Sequence, residues 1–320
     1  MKLHENKQDF EYLIKLAADY FKISEVYVEK DYWVTLILKT LANSEYKNQI
    51  IFKGGTSLSK AYGVIKRFSE DIDLQLINFS GSDGQKKILM KKIEKALTIK
   101  LTVLKDHPRE SKSGNIRKTI YSYDKVTKKD DFFQASKELI LEINGMSIPE
   151  PWEPKEIKSY IAEYLIETDQ LDIVKEFELE YFNVNVLNKE RTFVEKIFAI
   201  LDFSFEDDYQ RTLSNKIRHI YDISRLYNDK DVQVFFNSED FFDIASRVVV
   251  ENDFFGQRKD RKYRDSRFYS EDILKNLEKT YNNDFSKFVF GVLPEFNQIK
   301  KDTLFVLEKI KIWEEKYRKK

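Results

Sequence analysis

The sequence has no cysteine, only 9 glycines and only 5 prolines among its 320 residues. The missing cysteine excludes disulfide bonds, thiolate metal ligands and a cysteine nucleophile. Basic and acidic side chains both number 55, and the resulting net charge of zero excludes a strongly polycationic coat for nucleic acid. The sequence also has no uninterrupted apolar run of about 18 residues and no apolar segment near its N-terminus. These absences predict a cytoplasmic protein that does not enter a membrane.

The residues that are present are sufficient for a large folded core. Hydrophobic side chains make up 42% and aromatic side chains 14% of the chain, which argues against extensive disorder. The length predicts about two domains at roughly 150 residues each. Pro149, Pro151 and Pro154 lie close together, and no helix can cross them. We therefore expect an α/β (α+β) lobe with a mixed sheet over residues 1–148 and a mainly helical lobe over residues 149–320.

The scarce glycines are concentrated in one place, because three of them fall within ten residues: Gly54, Gly55 and Gly63. A short β-prone run over residues 49–52 precedes this cluster, and a helical pattern over residues 58–64 follows the first two glycines. Glycine lets the backbone turn tightly and lets a ligand approach, and the start of a helix presents free N–H groups that suit a phosphate. Residues 54–57 therefore indicate either a phosphate-binding turn or a purely structural one. The glycine and lysine spacing of a P-loop is missing.

Two carboxylates follow the glycine turn on a predicted strand. Asp71 and Asp73 alternate with apolar residues, so both side chains point to one face of the strand. Two such carboxylates repel each other unless a cation lies between them, and Mg²⁺ or Mn²⁺ is the natural ion for oxygen ligands. The competing interpretation is a solvated edge strand. Glu142, on a later predicted strand, is either a third metal ligand, the base for an attacking hydroxyl, or an outward-facing strand residue.

Three blocks of the sequence resemble one known family. They are Lys53-Gly54-Gly55-Thr56-Ser57-Leu58-Ser59-Lys60 with Arg67-Phe68-Ser69-Glu70-Asp71-Ile72-Asp73-Leu74, then Arg191-Thr192-Phe193-Val194-Glu195-Lys196, and then Arg218-His219-Ile220-Tyr221-Asp222. In this order the blocks are similar to the signature of the nucleotidyltransferase AbiEii/AbiGii toxin family. That family comprises toxins of type IV toxin–antitoxin and abortive-infection systems within the polymerase-β-like nucleotidyltransferase superfamily. The final hundred residues match it only loosely in character.

The resemblance implies a bi-lobed enzyme with its active site in a cleft. By this analogy Asp71 and Asp73 hold divalent Mg²⁺ or Mn²⁺, with Glu142 as the candidate third ligand. Residues 54–57 bind the triphosphate of a nucleoside triphosphate substrate. Phosphoryl transfer depends mainly on positioning and charge neutralisation, and two metal ions can stabilise both the attacking and the leaving oxygen.

From the helical lobe, the resemblance adds Lys196 and Asp222 to the site. The lysine would neutralise the charge that develops on pyrophosphate, and the aspartate would orient the lysine. Two departures from the usual pattern are present. Superfamily members commonly have Gly-Ser directly in the turn, whereas Thr56 and Ser57 both follow the glycines here, so either hydroxyl can be the phosphate contact. His219 stands where the family often has an acid, and it is assigned no chemistry.

Two basic side chains near the turn have open assignments. Arg67 either contacts the nucleotide phosphates or pairs with Glu70 or Asp71, which are close in the sequence. Lys60 follows the turn on the predicted helix, and it either joins the nucleotide site or faces solvent. Neither choice can be made from the spacing of the residues alone, because ion pairs depend on contacts that sequence distance does not define.

Two longer basic segments suggest contact with RNA. Residues 86–118 contain 11 lysines and arginines against 3 acidic residues, and residues 257–264 form a second cluster with aromatic residues nearby. Basic side chains with interleaved aromatics can follow an RNA backbone and stack on a base. The alternative is ordinary solvated surface in a lysine-rich protein.

Together these features predict a metal-dependent nucleotidyltransferase toxin. An acceptor hydroxyl, at an RNA 3′ end such as that of tRNA, would attack the α-phosphate of the triphosphate and release pyrophosphate. The resemblance also implies growth arrest and a cognate antitoxin encoded beside the toxin. Two alternatives stay open: a non-catalytic nucleotide-binding module that serves as antitoxin or regulator, and a nucleotidyltransferase whose acceptor is a small molecule or a protein.

Overall fold

The computed structural model describes residues 1–69, 71–77, 79–127, 138–146, 149–256 and 261–318. The chain divides into two units. Unit 1 comprises Met1–Ala61 and Phe68–Leu187, and unit 2 comprises Tyr62–Arg67 and Asn188–Lys320. Among the described residues, no helix combines the length and the apolar character that crossing a membrane requires.

Unit 1 has a mixed α/β architecture. Its strands are β1 (Ile50–Lys53), β2 (Asp71–Leu76), β3 (Thr102–Val103), β4 (Ser111–Lys112), β5 (Ile116–Ser122), β6 (Leu139–Asn144), β7 (Trp152–Ile157) and β8 (Phe182–Leu187). Its helices are α1 (Lys7–Phe21), α2 (Glu25–Ala42), α3 (Gly54–Lys60), α4 (Asp83–Leu97), α5 (Tyr160–Glu167) and α6 (Leu171–Glu176). The strands form one sheet in the order β3-β5-β6-β2-β1-β8-β7, with β4 paired to β5. The pairs β1–β8 and β2–β6 are parallel and the other pairs antiparallel, which confirms the predicted mixed sheet.

The alternating sequence of β2 explains its place in the centre of this sheet. Ile72 and Leu74 are fully buried on one face, while Asp71 and Asp73 are half-buried on the other. Glu94 of α4 accepts hydrogen bonds from Arg117 and Thr119 of β5, so α4 packs on the face to which those two side chains point. Because side chains alternate along a strand, Lys118, which lies between Arg117 and Thr119, points to the opposite face of the sheet.

The sheet continues through the proline-rich segment instead of ending before it. β7 contains Pro154 and, among the described strands, pairs with β8 alone, so it lies at the edge of the sheet, where proline is tolerated. The first helix after the prolines begins at Tyr160, where the Ser159 hydroxyl caps it. The units divide after Leu187, whereas the sequence predicted a boundary between residues 148 and 149, of which residue 148 lies outside the described residues.

Unit 2 is mainly helical. Its helices are α7 (Lys189–Phe203), α8 (Tyr209–Asn215), α9 (Ile217–Tyr227), α10 (Lys230–Phe236), α11 (Asp240–Gly256), α12 (Glu271–Asn283) and α13 (Phe296–Lys316), with short 3₁₀ turns at Tyr263–Asp265, Arg267–Tyr269 and Phe285–Phe288. Helices α7, α9 and α13 bury their apolar stripes against one another, and the buried side chains include Phe193, Ile223 and Leu307. The segment before β2 belongs to this unit, because Arg67 forms a bridge with Val289.

Candidate active site

One row of charged side chains runs across four strands of unit 1. Asp73 in β2 lies opposite Lys53 in β1 and opposite Glu142 in β6. Glu142 in turn lies opposite Lys118 in β5. Residues directly opposite on neighbouring strands point to the same face, and Asp71 shares that face because it is two residues from Asp73. The sheet therefore presents charges in the order positive, negative, negative, positive, with a further carboxylate beside them.

The glycine turn is packed against this row. Gly54 has a φ of +82°, a conformation that favours glycine, and a Cβ atom built on it would overlap the carboxylate of Asp73. Helix α3 begins at Gly54 itself and ends at Lys60, whereas the sequence predicted a helical pattern over residues 58–64. Gly54 therefore meets both a conformational and a steric requirement, since a side chain there would displace one of the two aspartates.

The two hydroxyls that follow the glycines hold the turn together. Thr56 is buried, and its hydroxyl donates to the main-chain carbonyl of Asp71 at 2.6 Å and lies 2.9 Å from the Ser69 hydroxyl. Ser57 is also buried, and its hydroxyl donates to the carbonyl of Gly54 at 2.9 Å. Both hydroxyls are thus engaged inside the protein, and Thr56 directly connects the glycine turn to the strand that carries the aspartates.

The carboxylates fit a divalent metal only in part. Asp71 and Asp73 offer hard oxygen ligands on one face, and Mg²⁺ is commonly bound by one or two carboxylates together with substrate phosphates and water. Within the described part of the chain, no three His, Asp or Glu side chains are grouped closely enough to hold a metal. Glu142 is adjacent in register, but its Oε2 atom lies 3.2 Å from Lys118 Nζ. The aspartate pair fits a metal, and Glu142 is occupied by a lysine.

Lys60 is not a solvent-facing side chain. Its ammonium forms an ion pair with Asp31 of α2, donates to the carbonyl of Lys158 at 3.0 Å, and leaves only 7% of the side chain exposed. Asp31 also accepts the backbone N–H of Tyr160 at 2.9 Å. Lys60 thus fastens the end of α3 to α2 and to the start of α5. Its predicted place among the nucleotide contacts has no support in these interactions.

A second cluster of charges lies inside unit 2. The Arg67 guanidinium donates to both carboxylate oxygens of Asp222, at 2.7 and 2.6 Å. Lys196 Nζ lies 2.8 Å from the same carboxylate. All three side chains are nearly or fully buried. The structure thus brings Lys196 and Asp222 together as the resemblance implied. Asp222 is thus a partner of Arg67 that the spacing of the sequence did not indicate, and Glu70 lies outside the described residues.

The two cations in this cluster set the charge of its carboxylate. Burial by itself would raise the pKa of Asp222, but the Arg67 guanidinium and the Lys196 ammonium outweigh it and hold that pKa well below its usual range. Burial lowers the pKa of Lys196, and the attraction of Asp222 opposes part of that change. Asp222 is therefore ionised, and two cations share its charge.

His219 lies beside this cluster without a side-chain hydrogen bond at Nδ1, which is buried. Burial, together with the charges of Lys196 and Arg218, lowers the pKa of His219 well below its usual value. Its ring packs edge-on against Phe203, with centroids 5.9 Å apart. A neutral, packed imidazole is consistent with a structural residue.

The first basic segment is divided between the two faces of the sheet. The exposed lysines of α4 are Lys87, Lys91, Lys92 and Lys95. They lie on a helix that packs against the face opposite the carboxylates, whereas Lys118 points to the carboxylate face. Only Lys118 of this segment is therefore established beside the charged row.

The second basic segment uses its described residues for packing. Residues 257–260 lie outside the described part of the chain. Arg261 forms an ion pair with Asp202 at 3.0 Å. The aromatic neighbours Tyr263 and Phe268 are buried, with 0% and 1% of their surface exposed, so their rings cannot stack on an RNA base. The prediction that accessible aromatic side chains accompany these basic residues is therefore wrong for Tyr263 and Phe268.

Sequence reasoning assigned three residues no role in these clusters, although Lys53 stands in the first family block and Lys118 in the basic segment 86–118. Asp31 fastens Lys60, and Lys118 and Lys53 flank the carboxylates. No local signal marks them, because a lysine on a strand looks like any solvated lysine until its register is known. The alternation of β5 would have placed Lys118 on the site face only if the pairing of β5 with β6 had been available.

Comparison with known proteins defines the family. The family described as nucleotidyl transferase AbiEii toxin, type IV toxin–antitoxin system, matches residues 36–305. Among solved structures, the nucleotidyltransferase toxin MenT4 from Mycobacterium tuberculosis H37Rv is similar at 12% identity and a TM-score of 0.33, covering 88% of this chain and 92% of that one. No curated protein matches the sequence. Because the family match spans most of its length, the chain belongs to the AbiEii nucleotidyltransferase toxin family.

Membership confirms the resemblance and the enzyme class that the sequence predicted. The chain is a nucleotidyltransferase of a toxin family, and the type IV system implies an antitoxin partner and a nucleoside triphosphate substrate. Enzymes that transfer nucleotidyl groups use divalent metal to neutralise phosphate charge.

Proposed function

We propose that this member of the AbiEii family transfers a nucleoside monophosphate from a nucleoside triphosphate to the 3′-hydroxyl of an RNA, such as a tRNA, in a reaction that depends on Mg²⁺ or Mn²⁺. The acceptor oxygen forms a bond to the α-phosphorus while the bond to the bridging oxygen of pyrophosphate breaks. The hydroxyl proton is released, and pyrophosphate leaves. Growth arrest follows from the altered RNA ends, and the cognate antitoxin counteracts it.

The observation that carries this proposal is the contact between the glycine turn and the aspartate pair. Gly54 leaves no room for a side chain beside Asp73, and Thr56 is bonded to the main chain of Asp71. This contact supports a phosphate-binding turn beside metal ligands, because a glycine lets the backbone and a bound phosphate come close to a metal held by the carboxylates.

We assign each residue its proposed role from its surroundings in the structure. Asp71 and Asp73 would hold the divalent metal, which supplies neutralisation of charge on the transferred and leaving phosphate oxygens. The main chain of Gly54 and Gly55 would approach the phosphates, because both hydroxyls that follow are already bonded inside unit 1. Glu142, on the same face, is the candidate to orient the acceptor hydroxyl or to accept its proton.

Lys196 and Asp222 are proposed to act on the developing charge of pyrophosphate. Two cations share one buried carboxylate, so the cluster of Arg67, Lys196 and Asp222 has a net positive charge. A preorganised positive charge stabilises charge that develops in a transition state without reorganisation of solvent. Arg67 contributes by holding Asp222 and is not assigned a contact with phosphate. Lys60 is likewise left out, because Asp31 engages it.

The test is incubation of the purified enzyme with each radiolabelled nucleoside triphosphate, Mg²⁺ or Mn²⁺, and total RNA. We expect label on RNA that is removed by 3′-exonuclease, and no label after Asp71→Asn or Asp73→Asn. The matched control is Asp83→Asn, which removes a carboxylate from an exposed position on α4 and should transfer normally. Transfer that persists in both site variants would overturn the assignment of the aspartates.

The acceptor is identified by sequencing RNA 3′ ends after brief expression in cells. Added nucleotides at the ends of one class of RNA would name that class as the acceptor. Label that appears instead on protein or on a small molecule would replace the RNA acceptor while leaving the metal and triphosphate assignment intact. Expression that is harmless in cells lacking the antitoxin would contradict the proposed arrest of growth.

A further inference from the structure

The carboxylate face of the sheet carries its own counter-ion. Lys118 Nζ lies 3.2 Å from Glu142 Oε2, and the two residues are directly opposite in the pairing of β5 with β6. Their side chains remain 29% and 27% exposed, so water and ions reach the pair. On the other side of Glu142, Asp73 is directly opposite in the pairing with β2. Glu142 therefore stands between a lysine and an aspartate.

We propose that Lys118 is a positioning residue for Glu142, and that its ammonium occupies the Glu142 carboxylate until a divalent metal competes for it. Glu142 then serves as the third acidic group of the site only after Lys118 has released it. This inference rests on the proposed function, because it assumes that the metal binds at Asp71 and Asp73.

The order of charges across the strands is the first support. Asp73 and Glu142 are like charges on adjacent strands, and like charges directly opposite destabilise a sheet. Cations on the flanking strands offset this repulsion, because Lys118 pairs with Glu142 and Lys53 lies opposite Asp73.

The second observation that supports the proposal is the exposure of the Lys118–Glu142 pair to solvent. A lysine ammonium is strongly hydrated and sits on a flexible stem, so it can leave Glu142 for water without creating a buried charge. Ion pairs between accessible side chains contribute at most about 1 kcal/mol, or about fivefold in a binding constant. A divalent cation carries twice the charge of the ammonium, so it can displace Lys118 at modest concentration.

The experiment measures binding of Mn²⁺ alone to the full chain, by loss of the free-ion electron paramagnetic resonance signal. Lys118→Met should bind Mn²⁺ about fivefold more tightly than the wild type, because the competing ammonium is gone. Lys118→Arg keeps the ion pair and should bind as the wild type does. The matched control is Lys155→Met, which removes a lysine paired with Glu153 on β7 of the same sheet and should leave Mn²⁺ binding unchanged.

A double-mutant cycle separates release of Glu142 from a general effect of charge. In a Glu142→Gln background, Lys118→Met should no longer tighten Mn²⁺ binding, because the carboxylate that the lysine held is absent. An equal gain in both backgrounds would overturn the proposal and leave only the removal of a positive charge. No gain in Lys118→Met, with circular dichroism and melting temperature unchanged, would overturn it as well.

Asp73→Asn distinguishes failure of the inference from failure of the proposed function. Weaker Mn²⁺ binding in this variant, combined with no effect of Lys118→Met, would retain the metal site and reject the role of Lys118. Unchanged Mn²⁺ binding in Asp73→Asn would reject the metal site itself, and the inference about Lys118 with it.

Discussion

The charged row of unit 1 and the charged cluster of unit 2 differ in how their carboxylates are stabilised. In unit 1, the carboxylates lie between lysines of neighbouring strands, and the ion pair of Lys118 with Glu142 is open to solvent. In unit 2, Arg67 and Lys196 outnumber Asp222, and the whole cluster is buried. A buried charge without a partner is very costly, whereas an exposed one is stabilised by water.

The carboxylates of unit 1 and of unit 2 therefore differ in how accessible they are to a ligand from solvent. Asp71 and Asp73 are half-buried, so the metal ion of the proposed function can reach them from solvent. Asp222 has none of its surface exposed and has to find its cations in the chain itself. The same residue type is therefore expected to matter for catalysis alone in unit 1 and for both folding and catalysis in unit 2.

The largest expected effect compares Asp222→Asn with Asp73→Asn. Asp222→Asn removes the buried carboxylate that Arg67 and Lys196 share, so the free energy of unfolding should fall by about 3–5 kcal/mol. Asp73→Asn changes a half-buried carboxylate that lies opposite both Lys53 and Glu142, so the free energy of unfolding should change by about 1 kcal/mol at most. Urea unfolding measures both values, and nucleotidyl transfer should be lost in both variants. Equal destabilisation by the two substitutions would show that burial does not distinguish the two clusters.

The next largest effect is expected from a comparison of Arg67 and Lys118, each of which forms an ion pair with a carboxylate. Arg67→Met removes a bidentate, buried pair and should lower the free energy of unfolding by about 3 kcal/mol. It should also raise the pKa of Lys196, because the charge of Arg67 helps to lower it. Lys118→Met removes an accessible pair and should cost less than about 1 kcal/mol. Urea unfolding and titration of ¹³C-labelled lysine by NMR test these values, and a cost below 1 kcal/mol for Arg67→Met would contradict the structural role of Arg67.

A pair of glycine substitutions separates backbone strain from the contact with the aspartate. Gly54 and Gly63 both have positive φ, so alanine at either position should cost about 1–2 kcal/mol in unfolding free energy. Only at Gly54 does the added Cβ meet the Asp73 carboxylate, whereas nothing lies within 4 Å of it at Gly63. Transfer activity should therefore fall sharply in Gly54→Ala and stay near normal in Gly63→Ala. Similar activity in the two variants would remove the main support for the proposed site.

The smallest effect is a pH dependence of stability that arises in unit 2. The groups that act on His219 are Lys196, Arg218, Lys216 and Asp222, and burial with these charges places its pKa below the unfolded value near 6.5. The unfolded chain then binds a proton that the folded chain does not, so stability declines as the pH falls below about 6.5. The slope reaches at most about 1.4 kcal/mol per pH unit for one group.

The variant His219→Asn tests this dependence through the slope alone. This substitution should make the unfolding free energy decline less steeply between about pH 6.5 and pH 5, the range in which a free histidine takes up a proton. The prediction concerns this slope and holds whatever the substitution does to stability at neutral pH. In unit 1, burial also lowers the pKa of His4, so part of the slope should remain. His4→Asn serves as the matched comparison, and an unchanged slope in His219→Asn would contradict the assignment of a neutral imidazole.

Local pattern was enough to find several elements correctly. The alternation of Asp71 and Asp73 with apolar residues predicted a strand, and the structure has β2 there, and the β-prone run over residues 49–52 predicted β1. Such patterns work because one face of each element is buried by its neighbours. The proline-rich segment misled the prediction, because whether a strand containing proline is tolerated depends on its place at the edge of a sheet.

The sequence by itself determined the enzyme class of this protein, because the family is recognised from motifs that stand in a fixed order along the chain. The glycine turn, the aspartate pair, Lys196 and Asp222 are its proposed site residues, and the last two follow from the resemblance to the family. The counter-ions were decided only by the tertiary structure. Arg67 reaches Asp222 across 155 residues of sequence, and Lys118 reaches Glu142 through strand register. An ion pair forms between side chains that folding brings within about 4 Å, and neither composition nor spacing along the chain contains that distance.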